Sequence, residues 1–226
     1  VGLRPISFLV DVTNFFTIDS NRPLHVFDAD KIIGNLRVHR SVGGEKILAL
    51  DDKNYTLEGG QIIISDDNGP TSIAGIMGGT ETGCTDETVN VFVESAYWDP
   101  VQIAYTGRAL KINSDARYRF ERGVDPAFTP LGLEAAVRMI VDYAGGEASD
   151  LVQAGKVPDT SRSYKFDAGR VQSLVGMEIS DRSQRATLKD LGFRLENDVA
   201  HVPSWRPDVM GEADLVEEVA RVASLS

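Results

Sequence analysis

The alternation of apolar and polar residues predicts a first part made mostly of strands, closed by one helix. Turn-forming groups at 51–54 and 66–69 separate short apolar runs, and longer apolar runs follow. The helix is predicted with Thr129 as its N-cap and Pro130 as its first residue, and its apolar side chains recur at helical spacing as far as Ala144. The predicted strands lie at residues 47–50, 55–57, 61–65, 71–79 and 90–97.

The pattern changes after a short polar stretch at 156–163 that contains Pro158. Beyond it the sequence predicts helices over 168–174 and 182–191, a hairpin that turns at Asn197 and Asp198, and a helix from near Ala213. We therefore expect an α+β protein with two domains. Residues 1–160 form a mainly β domain, an open barrel or sheet with flanking helices, and residues 161–226 form a small helical, winged domain like those that bind DNA.

Composition and charge exclude several classes of protein. The 226 residues are 42% hydrophobic and 25% charged, with no apolar stretch of the roughly 18 residues that a membrane-spanning helix needs. One cysteine, Cys84, excludes a disulfide scaffold and a zinc site with several cysteines. The net charge of −11 makes non-specific binding to nucleic acid unfavourable outside a local basic patch. Because the chain lacks an initiator Met and stops soon after Val222, we expect it to be part of a longer protein.

Three glycines in the segment 74–79 and a nearby carboxylate are the first candidate site. Gly75, Gly78 and Gly79 lie in an apolar run without the spacing of a dinucleotide or phosphate loop. They indicate either a pocket floor, where a flat ligand lies against the main chain, or a bulge in a sheet. Glu94 lies within an apolar strand, so its carboxylate either faces solvent or accepts a hydrogen bond from a ligand.

Two further polar groups are open to two interpretations each. His25, one of three histidines, is near an apolar run and is either a structural residue or part of a site. Thr13 and Asn14 close the apolar run 8–12, and suit either a turn or helix start or the polar lining of a pocket.

Two charged clusters complete the candidates. A basic island is either a seat for a phosphate backbone or a set of internal ion pairs; it consists of Arg108, Lys111, Arg117, Arg119 and Arg122. An acidic cluster near the last predicted helix suits a hard cation such as Mg²⁺, or else simply the positive end of the helix dipole; it consists of Asp208, Asp214, Glu217 and Glu218.

Taken in order along the chain, these motifs resemble the beta chain of bacterial phenylalanyl-tRNA synthetases. The resemblance covers essentially all 226 residues and corresponds to the middle of that longer chain. The segments that carry it are 3–7, 11–14, 23–30, 74–79, 93–97, 119–126, 202–208 and 214–221. Mild departures occur near Arg117 and Tyr118 and over 222–226.

The resemblance implies that residues 1–160 are an editing domain, which hydrolyses tRNA(Phe) wrongly charged with tyrosine. It assigns recognition of the tyrosine hydroxyl to Glu94, with the ring near Ala74, Gly75 and Gly78, and it implies that bulk at Gly78 or Ala116 blocks the pocket. Further residues that line the family's site or support hydrolysis there match Arg4, Thr13, Asn14, His25 and Ser114. We expect a positioned water to attack the ester, with or without help from the terminal ribose, and the general base is left open.

The resemblance also implies cofactors and partners. Asp208, Asp214, Glu217 and Glu218 match magnesium ligands of the family, one site being shared with the alpha chain. The family is a cytoplasmic α2β2 heterotetramer that binds tRNA(Phe), and its ATP-dependent synthetic site lies mainly on the alpha chain. No membrane or DNA role is expected. The alternative is a scaffolding or tRNA-binding fragment of the same synthetase without chemistry of its own.

Overall fold

The computed structural model describes residues 5–224, which divide into two compact units at residues 157 and 158. Each unit has its own hydrophobic core. Arg4 lies outside the described residues. No helix within residues 5–224 is both long enough and apolar enough to span a bilayer.

The first unit mixes helices with short antiparallel strands. Its helices are α1 (Phe8–Asp19), α2 (Pro100–Ala109), α3 (Asp115–Phe120) and α4 (Phe128–Ala144). Its strands are β1 (Leu24–Asp28), β2 (Arg37–Arg40), β3 (Lys46–Leu48), β4 (Asn54–Thr56), β5 (Ile62–Ser65), β6 (Pro70–Ile73), β7 (Met77–Gly78) and β8 (Val91–Ser95).

Three antiparallel groups of strands surround the core of this unit. β1 pairs with β8, β3 pairs with β4, and a four-stranded sheet has the order β2-β5-β6-β7. A single bridge from Ala49 to Gly79 joins the end of β3 to the end of β7, and another joins Phe27 of β1 to Gly83 in the loop before β8. Fully buried Phe27, Ile63 and Ile73 lie at the centre. Helices α1 and α4 add a second cluster through residues such as Phe16 and Ala136.

The structure corrects several predicted elements of the first unit. The single strand expected over 71–79 is two antiparallel strands, because Gly75 has a φ of +67° and reverses the chain between β6 and β7. Helix α4 has Ala127 as its N-cap without a side-chain bond, so Thr129 lies inside its first turn. Thr13 and Asn14 lie inside α1, whose apolar side chains pack against α4 and β1.

The second unit has six elements in the order strand, two helices, two strands, helix. They are β9 (Arg162–Lys165), α5 (Gly169–Val175), α6 (Asp181–Asp190), β10 (Arg194–Glu196), β11 (Val199–Val202) and α7 (Glu212–Ser224). The predicted hairpin is present, with Asn197 in the left-handed region at its turn, and β9 adds a third antiparallel strand against β11. Ser180 caps α6 by accepting a hydrogen bond from the Ser183 amide at 3.2 Å.

The α+β class is confirmed as a mixture of antiparallel sheets and seven helices within residues 5–224. The predicted mainly β character underestimates the helices α1, α2 and α3, because α1 has no clear polar face and α2 and α3 are only 10 and 6 residues long. The winged, DNA-binding-like arrangement of the second unit stays a prediction.

Candidate active site

A cavity of about 280 Å³ opens in the first unit where β1, β7, β8 and α3 meet the turn after β3. Five of the residues singled out from the sequence line it: His25, Gly75, Gly78, Glu94 and Ala116. The other lining residues are Pro23, Leu24, Leu50, Asp51, Ser72, Ile76, Met77 and Phe120. The wall is therefore mostly apolar, with a few polar groups, as is typical of small-molecule sites.

Strand pairing places the histidine and the glutamate side by side. β1 and β8 are antiparallel, and His25 lies directly opposite Glu94 in their register. Directly opposed residues project to the same face of a sheet. This face forms the cavity wall, so two ionisable groups that are far apart in sequence become neighbours.

Burial controls the charge of Glu94. The residue is half-buried, and loss of hydration raises the pKa of its carboxyl to about 7. Its side chain makes no hydrogen bond or ion pair with any of residues 5–224. At neutral pH the group is therefore poised between its two protonation states and has free capacity to bind a hydroxyl.

Burial also controls His25. Loss of hydration lowers the pKa of the imidazole to about 4, so the ring is neutral at pH 7. Its Nε2 atom is fully buried and has no hydrogen-bond partner within the described part of the chain. The ring packs edge-on against Phe27, with the centroids 4.3 Å apart.

Gly78 provides the space into which the imidazole fits. A Cβ atom built at Gly78 would lie 2.3 Å from Cε1 and 2.7 Å from Nε2 of His25, well inside van der Waals contact. Gly75 is restricted for a separate reason, since its φ is +67° and a Cβ there would lie 2.5 Å from Cδ1 of Trp98. The cavity floor therefore requires glycine at both positions. Ala74 is 1% exposed and belongs to the core beneath the floor, outside the lining.

Helix α3 supplies the opposite wall through Ala116 and Phe120, which are one turn apart. Ser114 caps this helix by accepting a hydrogen bond from the Arg117 amide at 3.1 Å. Its hydroxyl donates to the carbonyl oxygen of Ile76 at 2.7 Å. Ser114 therefore connects the start of α3 to the glycine turn. Neither of its hydrogen bonds involves His25, so the structure gives it a structural contact and no contact with the histidine.

Thr13 and Asn14, which were also expected to support hydrolysis, lie outside the cavity lining. The hydroxyl of Thr13 donates to the Val10 carbonyl within α1 at 2.8 Å. Asn14 is half-buried on the same helix. Neither residue lines the cavity.

Sequence reasoning missed Leu50, Asp51 and Ser72. The group 51–54 predicts only a turn, and nothing local shows that this turn folds over Gly78. The connection is made by long-range bonds, in which the Leu50 amide donates to the Gly78 carbonyl at 3.0 Å. Only the pairing between strands could have revealed these residues.

The basic island is largely an internal set of ion pairs. The pairs join Arg117 to Glu121 at 3.0 Å, Arg119 to Asp115 at 2.9 Å and Arg122 to Glu121 at 2.8 Å. Arg108 and Lys111 are exposed and have no ion pair among residues 5–224. The ion-pair interpretation therefore applies to Arg117, Arg119 and Arg122. For Arg108 and Lys111, the binding of a phosphate backbone stays a prediction.

In the acidic cluster, Arg206 bridges two of the four carboxylates. Its guanidinium bonds Asp208 through Nη2 at 2.5 Å and Glu218 through Nη1 at 3.0 Å. Glu218 is only 7% exposed and is also bonded by Arg221 at 2.6 Å. Burial disfavours the charged form of Glu218, but the bonds from the two arginines hold its pKa below the ordinary value.

The other two carboxylates of the cluster are placed differently. Asp214 accepts a hydrogen bond from the Met210 amide at 2.7 Å at the start of α7, and Glu217 is exposed. Within the described residues no group of three or more His, Cys, Asp or Glu side chains could hold a metal ion. The four carboxylates in this arrangement do not fit one common ion, and the magnesium set stays a prediction.

Comparisons with known proteins agree with one another. The family model "B3/4 domain" matches residues 1–145, and "tRNA synthetase B5 domain" matches residues 164–224. The phenylalanine–tRNA ligase beta subunit of Ruegeria pomeroyi is 72% identical over 100% of this chain, and that of Paramagnetospirillum magneticum is 51% identical over 98%. The chain spans 28% of the length of both relatives.

A solved N-terminal fragment of the phenylalanyl-tRNA synthetase beta subunit from Pyrococcus horikoshii is similar at 16% identity and a TM-score of 0.44. It covers 96% of this chain and 65% of its own. On the family models and the curated relatives, the chain belongs to the phenylalanine–tRNA ligase beta subunit family and carries a B3/4 domain followed by a B5 domain.

Proposed function

We propose that the first unit hydrolyses the ester of tRNA(Phe) mischarged with tyrosine, as the editing part of a phenylalanine–tRNA ligase. The observation that carries the proposal is the unpartnered Glu94 carboxyl in the wall of a mostly apolar cavity of about 280 Å³. Apolar lining suits the aromatic ring that tyrosine and phenylalanine share, and the carboxyl suits the hydroxyl that only tyrosine has.

Discrimination at such a site rests on one hydrogen bond. An apolar synthetic pocket rejects an added hydroxyl weakly, whereas a site built to bind a hydroxyl strongly rejects the ligand that lacks it. With phenylalanine bound, Glu94 would lose water and gain no partner. With tyrosine bound, the phenol replaces that water, so correctly charged tRNA is spared.

Hydrolysis requires a water molecule held beside the ester carbonyl. Attack by water breaks the ester bond, and the proton that the water loses ends on the departing ribose oxygen, which gives free tyrosine and tRNA. His25 lines the cavity and its ring is neutral at pH 7, so the ring can position this water through a hydrogen bond. A pKa of about 4 makes it a weak base, which leaves room for the terminal ribose of the tRNA in the proton transfer.

The remaining parts of the proposal concern the ligase as a whole. They are an alpha-subunit partner in an α2β2 assembly, binding of tRNA(Phe), ATP-dependent charging outside this chain, and a cytoplasmic location. The second unit serves as a structural domain in this scheme. Magnesium has no step in the proposed hydrolysis.

The test is deacylation of tyrosyl-tRNA(Phe) by the intact ligase carrying Glu94→Ala. We expect a loss of roughly 10- to 150-fold, the value of one hydrogen bond to a charged group. Phenylalanine charging should be unchanged. Glu134→Ala, at an exposed glutamate on α4, is the matched control and should retain full deacylation. If Glu94→Ala edits as fast as the parent enzyme, Glu94 does not recognise the tyrosine hydroxyl, and the proposal loses the observation that carries it.

A further inference from the structure

The cavity contains a second carboxylate, Asp51, in a different electrostatic state. Three residues among its lining are ionisable: His25, Asp51 and Glu94. His25 is neutral at pH 7, and Glu94 is only partly ionised there. Asp51 is therefore the one lining group that keeps a full charge at neutral pH, and no Lys or Arg lines the cavity to neutralise it from within.

The local structure of the turn explains why Asp51 stays ionised. Its Oδ2 atom accepts a hydrogen bond from the Tyr55 hydroxyl at 2.7 Å and one from Lys53 Nζ at 3.0 Å. Its Oδ1 atom accepts from the Lys53 amide at 3.3 Å. The bond from Tyr55 and then those from Lys53 hold the pKa of Asp51 below the ordinary value, against the effect of burial.

These bonds leave acceptor capacity on the carboxylate. A carboxylate offers about four acceptor positions, and three are filled here. The lysine side chain that holds Oδ2 is 70% exposed, so a competing cation from a ligand meets little resistance. The turn itself is fixed against the cavity floor by the bond from the Leu50 amide to the Gly78 carbonyl.

We propose that Asp51 binds the α-ammonium group of the aminoacyl ester, so that the cavity selects esters of free amino acids over acyl esters without an amino group. The inference rests on the proposed editing function and adds a second point of recognition to it. The substrate brings one hydroxyl and one cationic amine. The cavity offers Glu94 to the first and Asp51 to the second, while the ring lies between them against the apolar wall.

The experiment uses the intact ligase and two esters of tRNA(Phe). One ester carries tyrosine, and the other carries 3-(4-hydroxyphenyl)propionate, which differs from tyrosine only by lacking the amino group. Asp51→Asn removes the charge and keeps one oxygen, which can still accept from the Lys53 amide, while the new side-chain NH2 can donate to the Tyr55 hydroxyl. We expect it to slow deacylation of the tyrosyl ester by roughly 10- to 150-fold and to change the rate for the second ester by less than about twofold.

Asp52→Asn is the matched control. Asp52 lies on the same turn, is exposed and does not line the cavity, so its variant should treat both esters as the parent enzyme does. Equal slowing of both esters by Asp51→Asn would overturn the inference, because it would show a structural role. Selective slowing by Asp52→Asn would overturn it too, because the effect would then be long-range.

Glu94→Ala distinguishes a failure of the Asp51 inference from a failure of the proposed editing function. If that variant still hydrolyses the tyrosyl ester at the parent rate, this cavity is not the editing site that we propose, and the ammonium site fails with it. A different outcome rejects only the role of Asp51. In that outcome Glu94→Ala slows hydrolysis of both esters, while Asp51→Asn slows neither ester or slows both equally, so the editing function stands.

Discussion

The raised pKa of Glu94 predicts that this carboxyl destabilises the folded protein at neutral and alkaline pH. Its pKa is 4.5 in an unfolded chain and about 7 in the folded one. Each tenfold change in the ionisation constant is worth about 1.4 kcal/mol, so the fully ionised group costs about 3 kcal/mol of unfolding free energy. Glu94→Gln has nearly the same shape and never ionises, and it therefore removes this cost.

The pH dependence has a definite sign. Below pH 4.5 the carboxyl is protonated in both states, so wild type and Glu94→Gln should show no difference that depends on this charge. Between pH 4.5 and about 7 the unfolded chain releases the proton while the folded protein keeps it, which favours unfolding of the wild type. The variant should therefore gain stability over the wild type as pH rises, with the gain levelling off above about pH 8.

The two tryptophans allow the first unit to be followed alone. Trp98 is 7% exposed beside the Gly75 turn, whereas Trp205 belongs to the second unit and is 56% exposed. In a Trp205→Phe background, urea unfolding followed by fluorescence reports Trp98 only, because the sequence has two Trp residues. The low pKa of His25 adds its own pH dependence on the acid side, but it is common to both proteins and cancels in their difference.

A difference in unfolding free energy that stays constant from pH 5 to pH 8 would refute this reasoning. It would mean that the folded protein hydrates the Glu94 carboxyl as well as the unfolded chain does. The same result would weaken the proposal that Glu94 recognises the tyrosine hydroxyl, since a well-hydrated carboxylate discriminates poorly between tyrosine and phenylalanine.

Two further substitutions test other parts of the structure. Gly78→Ala places a methyl group within 2.3 Å of a His25 ring atom, so we expect tyrosine titration by NMR to show binding weakened about tenfold or more. Gly211→Ala serves as the control for glycine replacement, because a Cβ there meets nothing within 4 Å and its φ is not in the left-handed region. Arg206→Met removes one of two partners of the buried Glu218, and thermal unfolding should show a loss of about 2 kcal/mol at pH 7. Because the pKa of Glu218 lies below its ordinary value, that loss should shrink as pH falls through the acid range, and an unchanged loss at pH 3 would contradict the ion-pair explanation.

Short-range patterns identified much of the fold. The turn at 51–54 and the hairpin at Asn197 are encoded by residues that adopt these conformations for local reasons. By contrast, α1 carries apolar residues on its exposed side as well, where Phe8, Phe15 and Ile18 lie, so its pattern lacks a clear polar face.

The candidate site likewise contains residues that a local pattern identifies and residues that only long-range contacts bring into place. Glu94 was recognisable because a carboxylate inside an apolar strand needs an explanation, and Gly75 and Gly78 because clustered glycines indicate close approach. Asp51 was not recognisable, since an aspartate in a turn is ordinary and its place in the cavity depends on bonds between distant strands. For Asp208, the sequence could not show that Arg206 pairs with it and with Glu218 at the same time.

The fit of the His25 ring into the space above Gly78 has a consequence for how this family varies. The two positions are 53 residues apart in the sequence, yet one atom added at the second displaces the first. They are therefore expected to change together during evolution. Among homologous chains, a residue larger than glycine at position 78 should occur only where position 25 holds a side chain smaller than histidine.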